Sequence, residues 1–284
     1  MKVIDLHLHS SCSDGIYSVK ELAKKAYQEK ISVLSLTDHD TVIGISEMKY
    51  YANKYSLSFI SGIEFSCDFE DGDYHLLGYG IDHENSELIK EINYYSQERR
   101  NRIDKIISKL NDNGIKISKD DVIKCGAAES PGKPHIARAL IMKGYATNIN
   151  DAFDHYLGKN GMGNVPKSKI SREKAYYLIN KSGGTAVLAH PASLNRNVEQ
   201  LKQIIEDDKK RGLYGIELFS QMHSDLQVEQ YRKMADDCGL VVSGGSDFHG
   251  DKGETLGCYG NGRKIPFESV KPLLDRFEIF VKKN

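Results

Sequence analysis

Histidine and acidic residues recur together along this sequence, each time where an apolar, strand-like segment ends. His7 and His9 are two residues apart in the first such segment, so an extended chain points both rings to one face. Imidazole and carboxylate ligands together suit zinc, manganese or iron, whereas magnesium and calcium prefer oxygen ligands alone. The further candidates of these residue types are Asp14, His39, Glu64, His75, His190, Asp247 and His249.

The size of this set indicates more than one metal ion. A single zinc ion takes about three or four protein ligands, whereas the set contains six histidines and three carboxylates. We therefore expect two or three divalent ions (Mn, Fe or Zn), with at least one carboxylate shared between them. Paired ions typically serve displacement at phosphorus or another hydrolysis.

Each motif alone also has an ordinary structural explanation. A lone pair such as His7 and His9 is a weak signal, and aspartate next to histidine is common in turns and helix caps. The joint occurrence at successive strand ends favours a shared site, because functional side chains of a βα barrel collect at the carboxyl ends of its strands. Outside the set, we expect His83 and His155 to be surface or partly packed residues.

The segments that carry the candidates alternate between strand and helix patterns. Apolar runs predict strands over 3–9, 32–36, 57–63, 185–189, 214–219 and 240–243. The Asp71-Gly72 turn predicts a hairpin between 65–69 and 74–79. Helices are predicted from a capping box at Ser18 and Glu21, over 44–55, 197–211 and 225–238, and from Pro266 onward. Repeated βα units indicate an α/β fold with a parallel sheet, either a barrel or a doubly wound sheet.

A helical insertion interrupts this alternation. Between residues 84 and 169 the pattern is helical, with one long amphipathic helix over 89–110 and shorter helices over 134–143 and 150–157. The glycine-rich stretch 158–166 reads as the linker that leaves the insertion. We therefore predict a barrel domain formed by 1–83 and 170–284, and a helical cap subdomain over 84–169.

Composition narrows the classes of protein that remain. The 284 residues have a net charge of −1 and are 39% hydrophobic, which is enough to bury a large core. The balanced charge argues against an extended nucleic-acid surface, which is usually strongly basic. No apolar run approaches the roughly 20 residues of a membrane span, and the amino terminus lacks the pattern of a signal peptide. Five cysteines without a CxxC pair indicate reduced thiols, so we expect a cytoplasmic protein. Its oligomeric state is left open.

At these residues the chain resembles the PHP (polymerase and histidinol phosphatase) family. The motifs that match are His7-Leu-His9 with Asp14, Thr37-Asp38-His39, Gly62-Ile63-Glu64, His75, Ala189-His190-Pro191 and Ser246-Asp247-Phe248-His249. The resemblance implies a distorted (β/α)7 barrel, with up to three metal ions at its mouth. The insertion, including its segment 133–138, is similar to the branch that contains nucleoside 3′,5′-bisphosphate phosphatase.

The resemblance also implies how the ligands are divided among the ions. One ion would be held by His7, His9, Glu64 and Asp247. A second would share Glu64 and add His75 and His190. A third would take Asp14, His39 and His249, although some family members have histidine where this chain has Asp14. Asp38 and Asp40 are expected behind the ligands, where they would orient them.

The resulting hypothesis is a hydrolase of a small phosphorylated metabolite, most simply a 3′,5′-bisphosphonucleoside or a similar phosphomonoester. The nucleophile would be a hydroxide between two ions that share Glu64. His223 would protonate the departing oxygen, and Arg138 would clamp a phosphate bidentately. Further substrate contacts are expected from His135, Arg99 and Arg102, although an exposed helix face would also explain the arginines.

Three alternatives remain open from the sequence. Two use the same chemistry: a cyclic ribose phosphate phosphodiesterase, and a 5′→3′ exonuclease that acts on short oligonucleotides. The third belongs to another class, a metal- and nucleotide-binding module without turnover. The complete set of nine candidate ligands favours an enzyme over this module.

Overall fold

The computed structural model describes residues 2–126, 132–166, 168–251 and 253–277. Its centre is a seven-stranded sheet in which the strands follow one another in sequence order. The strands are β1 (Val3–Asp5), β2 (Ile31–Leu36), β3 (Ser58–Cys67), β4 (Tyr74–Tyr79), β5 (Thr185–Leu188), β6 (Leu213–Phe219) and β7 (Val241–Gly244). A two-stranded ribbon of β8 (Cys258–Tyr259) and β9 (Arg263–Lys264) follows.

The sheet closes into a distorted barrel. The Leu6 N–H donates to the Gly244 carbonyl oxygen at 3.1 Å, and Leu8 forms a parallel bridge with Phe248, which joins the last strand to the first. All neighbouring strands pair in parallel except β4, which is antiparallel to both β3 and β5. The predicted distorted (β/α)7 barrel is thereby confirmed, and the antiparallel strand is its main distortion.

Helices cover the outside of the barrel and fill the insertion. They are α1 (Val19–Gln28), α2 (Ile45–Lys54), α3 (Ser86–Asp112), α4 (Lys119–Lys124), α5 (Lys133–Met142), α6 (Ile149–Ala152), α7 (Arg172–Lys181), α8 (Val198–Arg211), α9 (Asp225–Cys238) and α10 (Phe267–Asp275). The capping box predicted at Ser18 and Glu21 is present at the start of α1. Among the described residues, no helix is long and apolar enough to cross a lipid bilayer.

Three segment boundaries differ from the prediction. The strands predicted over 57–63 and 65–69 are one strand, β3, because the pairing with β4 continues through Glu64 to Cys67. The first strand ends at Asp5 rather than residue 9, since the chain beyond it joins its neighbours by an isolated bridge and single hydrogen bonds rather than by a continuous ladder. The helix predicted over 150–157 is a single α turn, α6, followed by a π-helical turn, Phe153–Leu157.

The insertion between β4 and β5 has an apolar core of its own. Ile103, Ile106 and Leu110 of α3 pack with Ile136 and Leu140 of α5 in a cluster separate from the barrel cores. All five side chains are at most 1% exposed. The helical character predicted for this segment is therefore present, whereas the domain boundaries at 84 and 169 stay a prediction.

Replacement of Gly245 tests the closure of the barrel. A Cβ atom at Gly245 would lie 2.1 Å from the Cβ and 2.4 Å from the backbone nitrogen of His7, so Gly245→Ala forces β7 away from β1. We expect the free energy of unfolding, measured in urea, to fall by about 1–3 kcal/mol. Gly132→Ala is the matched control, since its Cβ would meet no atom closer than 3.4 Å. Equal stability of the two variants would contradict this account of the closure.

Candidate metal centre

The nine candidate ligands come from six strands and meet at one rim of the barrel. His7, His9, His39 and His190 follow the parallel strands β1, β2 and β5, and Glu64 lies within β3. Asp247 and His249 follow β7, and Asp14 lies in the loop after β1. Because β4 is antiparallel, its beginning lies beside the end of β3, which brings His75 opposite Ser66 and to the same rim. The closed barrel thus places residues that are distant in sequence around one point.

The carboxylate of Glu64 is the centre of this arrangement. Its Oε1 lies 3.3 Å from His7 Nε2, 3.0 Å from His75 Nδ1 and 3.1 Å from His190 Nε2. Its Oε2 lies 3.3 Å from His9 Nε2 and 2.8 Å from His39 Nδ1. Glu64 itself is fully buried, so five imidazole rings surround one carboxylate that has no access to solvent.

Two aspartates complete the cluster on its outer side. Asp247 Oδ1 lies 3.1 Å from His9 Nε2 and 3.5 Å from His7 Nε2. Asp14 lies 3.4 Å from His249 Nε2 and 4.0 Å from His39 Nε2. Asp247 has a φ of 50°, a backbone conformation that non-glycine residues rarely adopt. Such strain is typical of functional positions, where the surrounding structure holds it in place.

The donor atoms fit divalent metal ions. Four overlapping groups have donor atoms within 4.8 Å of one another: His9–Asp14–His39–His249, His7–Glu64–His190, His7–His9–Asp247 and His39–Glu64–His75. Six buried atoms of this cluster have no hydrogen-bond partner among the described residues: His7 Nε2, His9 Nδ1 and Nε2, Asp14 Oδ1, His39 Nδ1 and Glu64 Oε2. Buried polar atoms without partners are costly and rare, and a metal ion would satisfy them.

The groups overlap differently from the ligand sets that the family resemblance implies. His9 stands with Asp14, His39 and His249, and His7 rather than His75 stands with Glu64 and His190. The structure thus brings all nine residues together at one rim. How they are divided among individual ions stays a prediction.

At two of the candidate ligands, His9 and Glu64, the electrostatics favour the protonation states that metal ligands need. Burial, together with the nearby His249 and His39, lowers the pKa of His9 to about 3, so its ring is neutral at pH 7. Burial alone would raise the pKa of Glu64, but the charges of His39 and His7 outweigh it and hold that pKa well below its usual range. Neutral imidazole and ionised carboxylate are the forms that bind divalent cations.

The aspartates predicted behind the ligands hold the loops that carry them. Asp38 accepts hydrogen bonds from the Ser10 N–H at 2.7 Å and from the hydroxyls of Ser10 and Ser13, within the loop between His9 and Asp14. Asp40 accepts from the Ser66 N–H at 2.9 Å and from the Arg99 guanidinium of α3. Asp38 thus fixes the rim loop, and Asp40 connects the rim to the insertion.

Two buried carboxylates of the site were missed by the sequence analysis. Glu217 lies in β6, which supplies none of the nine candidate ligands, and it contacts the His7 ring and the His190 backbone. Asp5 accepts from the Ser246 N–H and hydroxyl, which ties β1 to the loop after β7. The available signal was an acidic residue inside an otherwise apolar strand, since a charge there requires a partner.

The cationic residues predicted to bind substrate lie between the insertion and the rim. Arg138 of α5 pairs with Asp251 through Nε and Nη2, and its Nη2 also donates to the Asp14 carbonyl oxygen at 3.3 Å. Its Nη1 has no hydrogen-bond partner among the described residues. Arg102 donates to the Val165 carbonyl oxygen at 2.8 Å. The exposed helix face considered for Arg99 is not what the structure shows, because this side chain is 9% exposed and paired with Asp40.

The two remaining buried histidines each have one nitrogen without a hydrogen-bond partner among the described residues. His135 Nδ1 accepts from the Gly132 N–H at 3.0 Å, which leaves Nε2 protonated in the neutral ring. His223 Nδ1 lies 2.9 Å from the Leu218 carbonyl oxygen, to which it donates, and its Nε2 is unpartnered. Burial lowers the pKa of both rings, that of His135 to about 4. Both rings are therefore neutral at pH 7.

A closed barrel with a histidine-rich rim is typical of metal-dependent hydrolases, and comparison with known proteins specifies the family. A family model described as the PHP domain matches residues 5–163. The chain is 32% identical to a 5′-3′ exoribonuclease from Haemophilus influenzae over 87% of its length and 90% of the relative. It is also 32% identical to a 3′,5′-nucleoside bisphosphate phosphatase from Chromobacterium violaceum, over 90% of its length and 91% of the relative.

Structural similarity leads to the same family. A structure of an amidohydrolase from Chromobacterium violaceum, solved with bound sulfate and no metal, superposes with a TM-score of 0.84 and 28% identity over 95% of this chain and 96% of that chain. The chain therefore belongs to the PHP family and is a metal-dependent phosphoesterase.

Metal addition tests whether the cluster binds ions. Because the cluster leaves buried polar atoms unsatisfied, we expect Mn²⁺ or Zn²⁺ to raise the Tm of chelator-treated protein. Each site stabilises by about 2.7 kcal/mol when the free ion is at 100 times its Kd. His39→Ala should reduce the shift and the bound metal measured by mass spectrometry. His155→Ala is the control, since its side chain is 69% exposed and bonds to Asp151 of its own helical segment. A Tm unaffected by metal would contradict a metal-binding cluster.

Proposed function

We propose that this protein hydrolyses a phosphomonoester of a small nucleotide that carries a second phosphate, such as a 3′,5′-bisphosphonucleoside. The observation that supports this substrate class is a group of basic side chains on the insertion, four of them cationic, beside the candidate metal centre. The group consists of Arg99, Arg102, Lys133, His135 and Arg138, and we call it the cap cluster. A substrate with one phosphate at the rim and another at the cap cluster would engage both.

The cap cluster is crowded enough with positive charge to favour an anion. Burial lowers the pKa of Arg102 to about 10, with a contribution from Arg99. Burial likewise lowers the pKa of Lys133 to about 8, with a contribution from Arg102. Like charges held close together are stabilised by a bound phosphate, since charge-assisted hydrogen bonds to phosphate are strong. Nη1 of Arg138 and the Nε2–H of His135, neither of which has a hydrogen-bond partner in the part of the chain that the structure describes, supply further donors.

We further propose that the nine rim residues hold two or three divalent ions, of manganese, iron or zinc. Bound there, the ions would supply Lewis acidity towards the phosphoryl group and water activated at neutral pH. The chain contributes positions and charge. Glu64 would be shared between ions through its two oxygens, and the closed barrel keeps its carboxylate out of solvent. The insertion would hold the nucleotide over the rim and fix which ester faces it.

A 5′→3′ exonuclease on short oligonucleotides is the second candidate, and the similarity to the Haemophilus influenzae exoribonuclease favours it. Both candidates require a phosphate beside the cap cluster. They differ in whether the departing group is a nucleoside or a longer chain. Phosphate and nucleotide release from a panel of bisphosphates, 3′-monophosphates, cyclic phosphates and short RNA, run on manganese-loaded enzyme, distinguishes them. No release from any of these would favour a binding module.

Substitution of Arg138 tests the second phosphate. We expect Arg138→Ala to lower kcat/KM for a 3′,5′-bisphosphonucleoside about 10- to 100-fold, which corresponds to a lost charge-assisted hydrogen bond. The 3′-monophosphate, which has no second phosphate, should lose far less. Lys105→Ala is the matched control, since it removes an exposed cation from α3 outside the cap cluster. An equal loss of kcat/KM for both substrates would show that Arg138 does not bind a second phosphate.

His223 has a separate test as proton donor to the departing oxygen. We propose this role from its buried place after β6, although a bound phosphate would have to raise its lowered pKa. General acid catalysis contributes about 10²- to 10⁴-fold. His223→Asn should therefore lower kcat at least about 100-fold for a nucleotide but much less for p-nitrophenyl phosphate, whose phenolate departs without a proton. Equal losses for the two substrates would remove the proposed role.

A further inference from the structure

Glu217 is the buried carboxylate of β6, the parallel strand that supplies none of the nine candidate ligands. Its side chain is completely inaccessible to solvent. The neighbouring β6 residues Ile216 and Leu218 are also fully buried. A charged group therefore occupies a position in the interior of the protein, between two apolar residues. Such a group is costly unless each of its oxygens is hydrogen-bonded.

Both oxygens of Glu217 are bonded to segments that carry candidate ligands. Oε1 lies 3.0 Å from His7 Nδ1, and Oε2 accepts from the His190 N–H at 2.8 Å. His7 follows β1 and His190 follows β5. A single side chain therefore joins two ligand-bearing segments that are 183 residues apart in the sequence.

The bond to His7 determines which of its nitrogens faces the cluster. An ionised carboxylate accepts hydrogen bonds and cannot donate one, so His7 Nδ1 carries the proton. In the neutral ring, Nε2 is then left with its lone pair, and this atom lies 3.3 Å from Glu64 Oε1 and 3.5 Å from Asp247 Oδ1. The hydrogen bond on one nitrogen thus prepares the other as a metal ligand.

We propose that Glu217 is a positioning residue that fixes the tautomer of His7 and the backbone of His190, and so holds two candidate metal ligands in register. This inference rests on the proposed metal centre but not on the identity of the substrate. Because Glu217 touches the ligand-bearing segments rather than the outer rim, its effect is on metal affinity. Loss of such a partner typically costs about 10- to 100-fold in metal affinity.

Glu217→Gln separates this role from simple packing. Glutamine has nearly the same shape, but it offers one acceptor and one donor where glutamate offers two acceptors. If its oxygen accepts from the His190 N–H, its amide group faces His7 Nδ1 and favours the tautomer whose Nε2 is protonated. If it is turned the other way, the amide faces the His190 N–H, donor against donor. Either orientation disturbs one of the two ligands.

The experiment measures Zn²⁺ rather than turnover. We expect Glu217→Gln to bind Zn²⁺ about 10- to 100-fold more weakly in a chelator competition. Asp208→Asn is the matched control, because Asp208 is an equally buried carboxylate that bonds to Tyr74 and Arg172 on the outer side of the barrel. Its Zn²⁺ affinity should stay within about threefold of wild type. Equal Zn²⁺ affinity of Glu217→Gln and wild type would overturn the proposal.

A second measurement requires no variant. In ¹H–¹⁵N spectra of the Zn²⁺-loaded wild-type protein, His7 should show a proton on Nδ1 and a metal-bound Nε2. If its proton is on Nε2 instead, Glu217 does not set the tautomer and the proposal is wrong. Neither readout uses a phosphorylated substrate, so an incorrect substrate assignment would leave both results interpretable.

Discussion

The burial of the Glu64 carboxylate is the constraint on which the site depends. Five imidazole nitrogens lie within 3.3 Å of its two oxygens, in a place without solvent. A buried charge of this kind must be compensated, because desolvation of an isolated carboxylate is costly. The compensation is possible only if the barrel closes, since the five rings come from segments that follow or lie in β1, β2, β4 and β5. The closed fold therefore brings together the groups that compensate this charge.

A layer of buried carboxylates supports this centre from behind. Asp5 joins β1 to the loop after β7, Asp38 holds the loop between His9 and Asp14, and Glu217 joins the segments after β1 and β5. The pKa of Asp5 and of Asp38 is raised to about 6 each, because burial outweighs the hydrogen bonds that they accept. Because their pKa is higher in the folded protein than in the unfolded chain, these aspartates lower the free energy of unfolding at neutral pH. In return, their hydrogen bonds fix the loops of the rim.

The net charge of −1 has a limited meaning for function. It argues against a long basic track for nucleic acid, but it does not exclude a local site for phosphate. Three divalent ions would bring a charge of +6 against −3 from Asp14, Glu64 and Asp247, and amino-acid counts omit the ions. The cap cluster adds a second positive region. The net charge does not reveal it, because acidic residues elsewhere in the chain balance its charge.

The sequence predicted the parts of this protein that follow from pattern. Period-two and helical repeats located the strands, and histidine and carboxylate at strand ends located the rim, because parallel strands end at one edge. It did not reveal that β3 runs on through Glu64, since pairing with β4 depends on a partner rather than on local pattern. It also missed Glu217, because an acidic residue in an apolar strand indicates that a partner exists but does not identify that partner as a histidine.

The pairing of the cap cations was likewise outside the reach of sequence analysis. Arg138 bonds to Asp251, which is 113 residues away, and Arg99 bonds to Asp40, which is 59 residues away. Such pairs arise from the docking of the insertion against the rim. Periodicity places Arg99 on a helix, but only the fold shows that this arginine is buried.

The central claim is that Glu64 is shared between metal ions at the barrel rim. The most direct measurement is anomalous diffraction from crystals of the protein soaked in Mn²⁺. The account predicts at least two anomalous peaks, with each oxygen of Glu64 at metal-ligand distance from one of them. Peaks that avoid Glu64, or no peak among the nine rim residues in protein that hydrolyses phosphomonoesters, would contradict it.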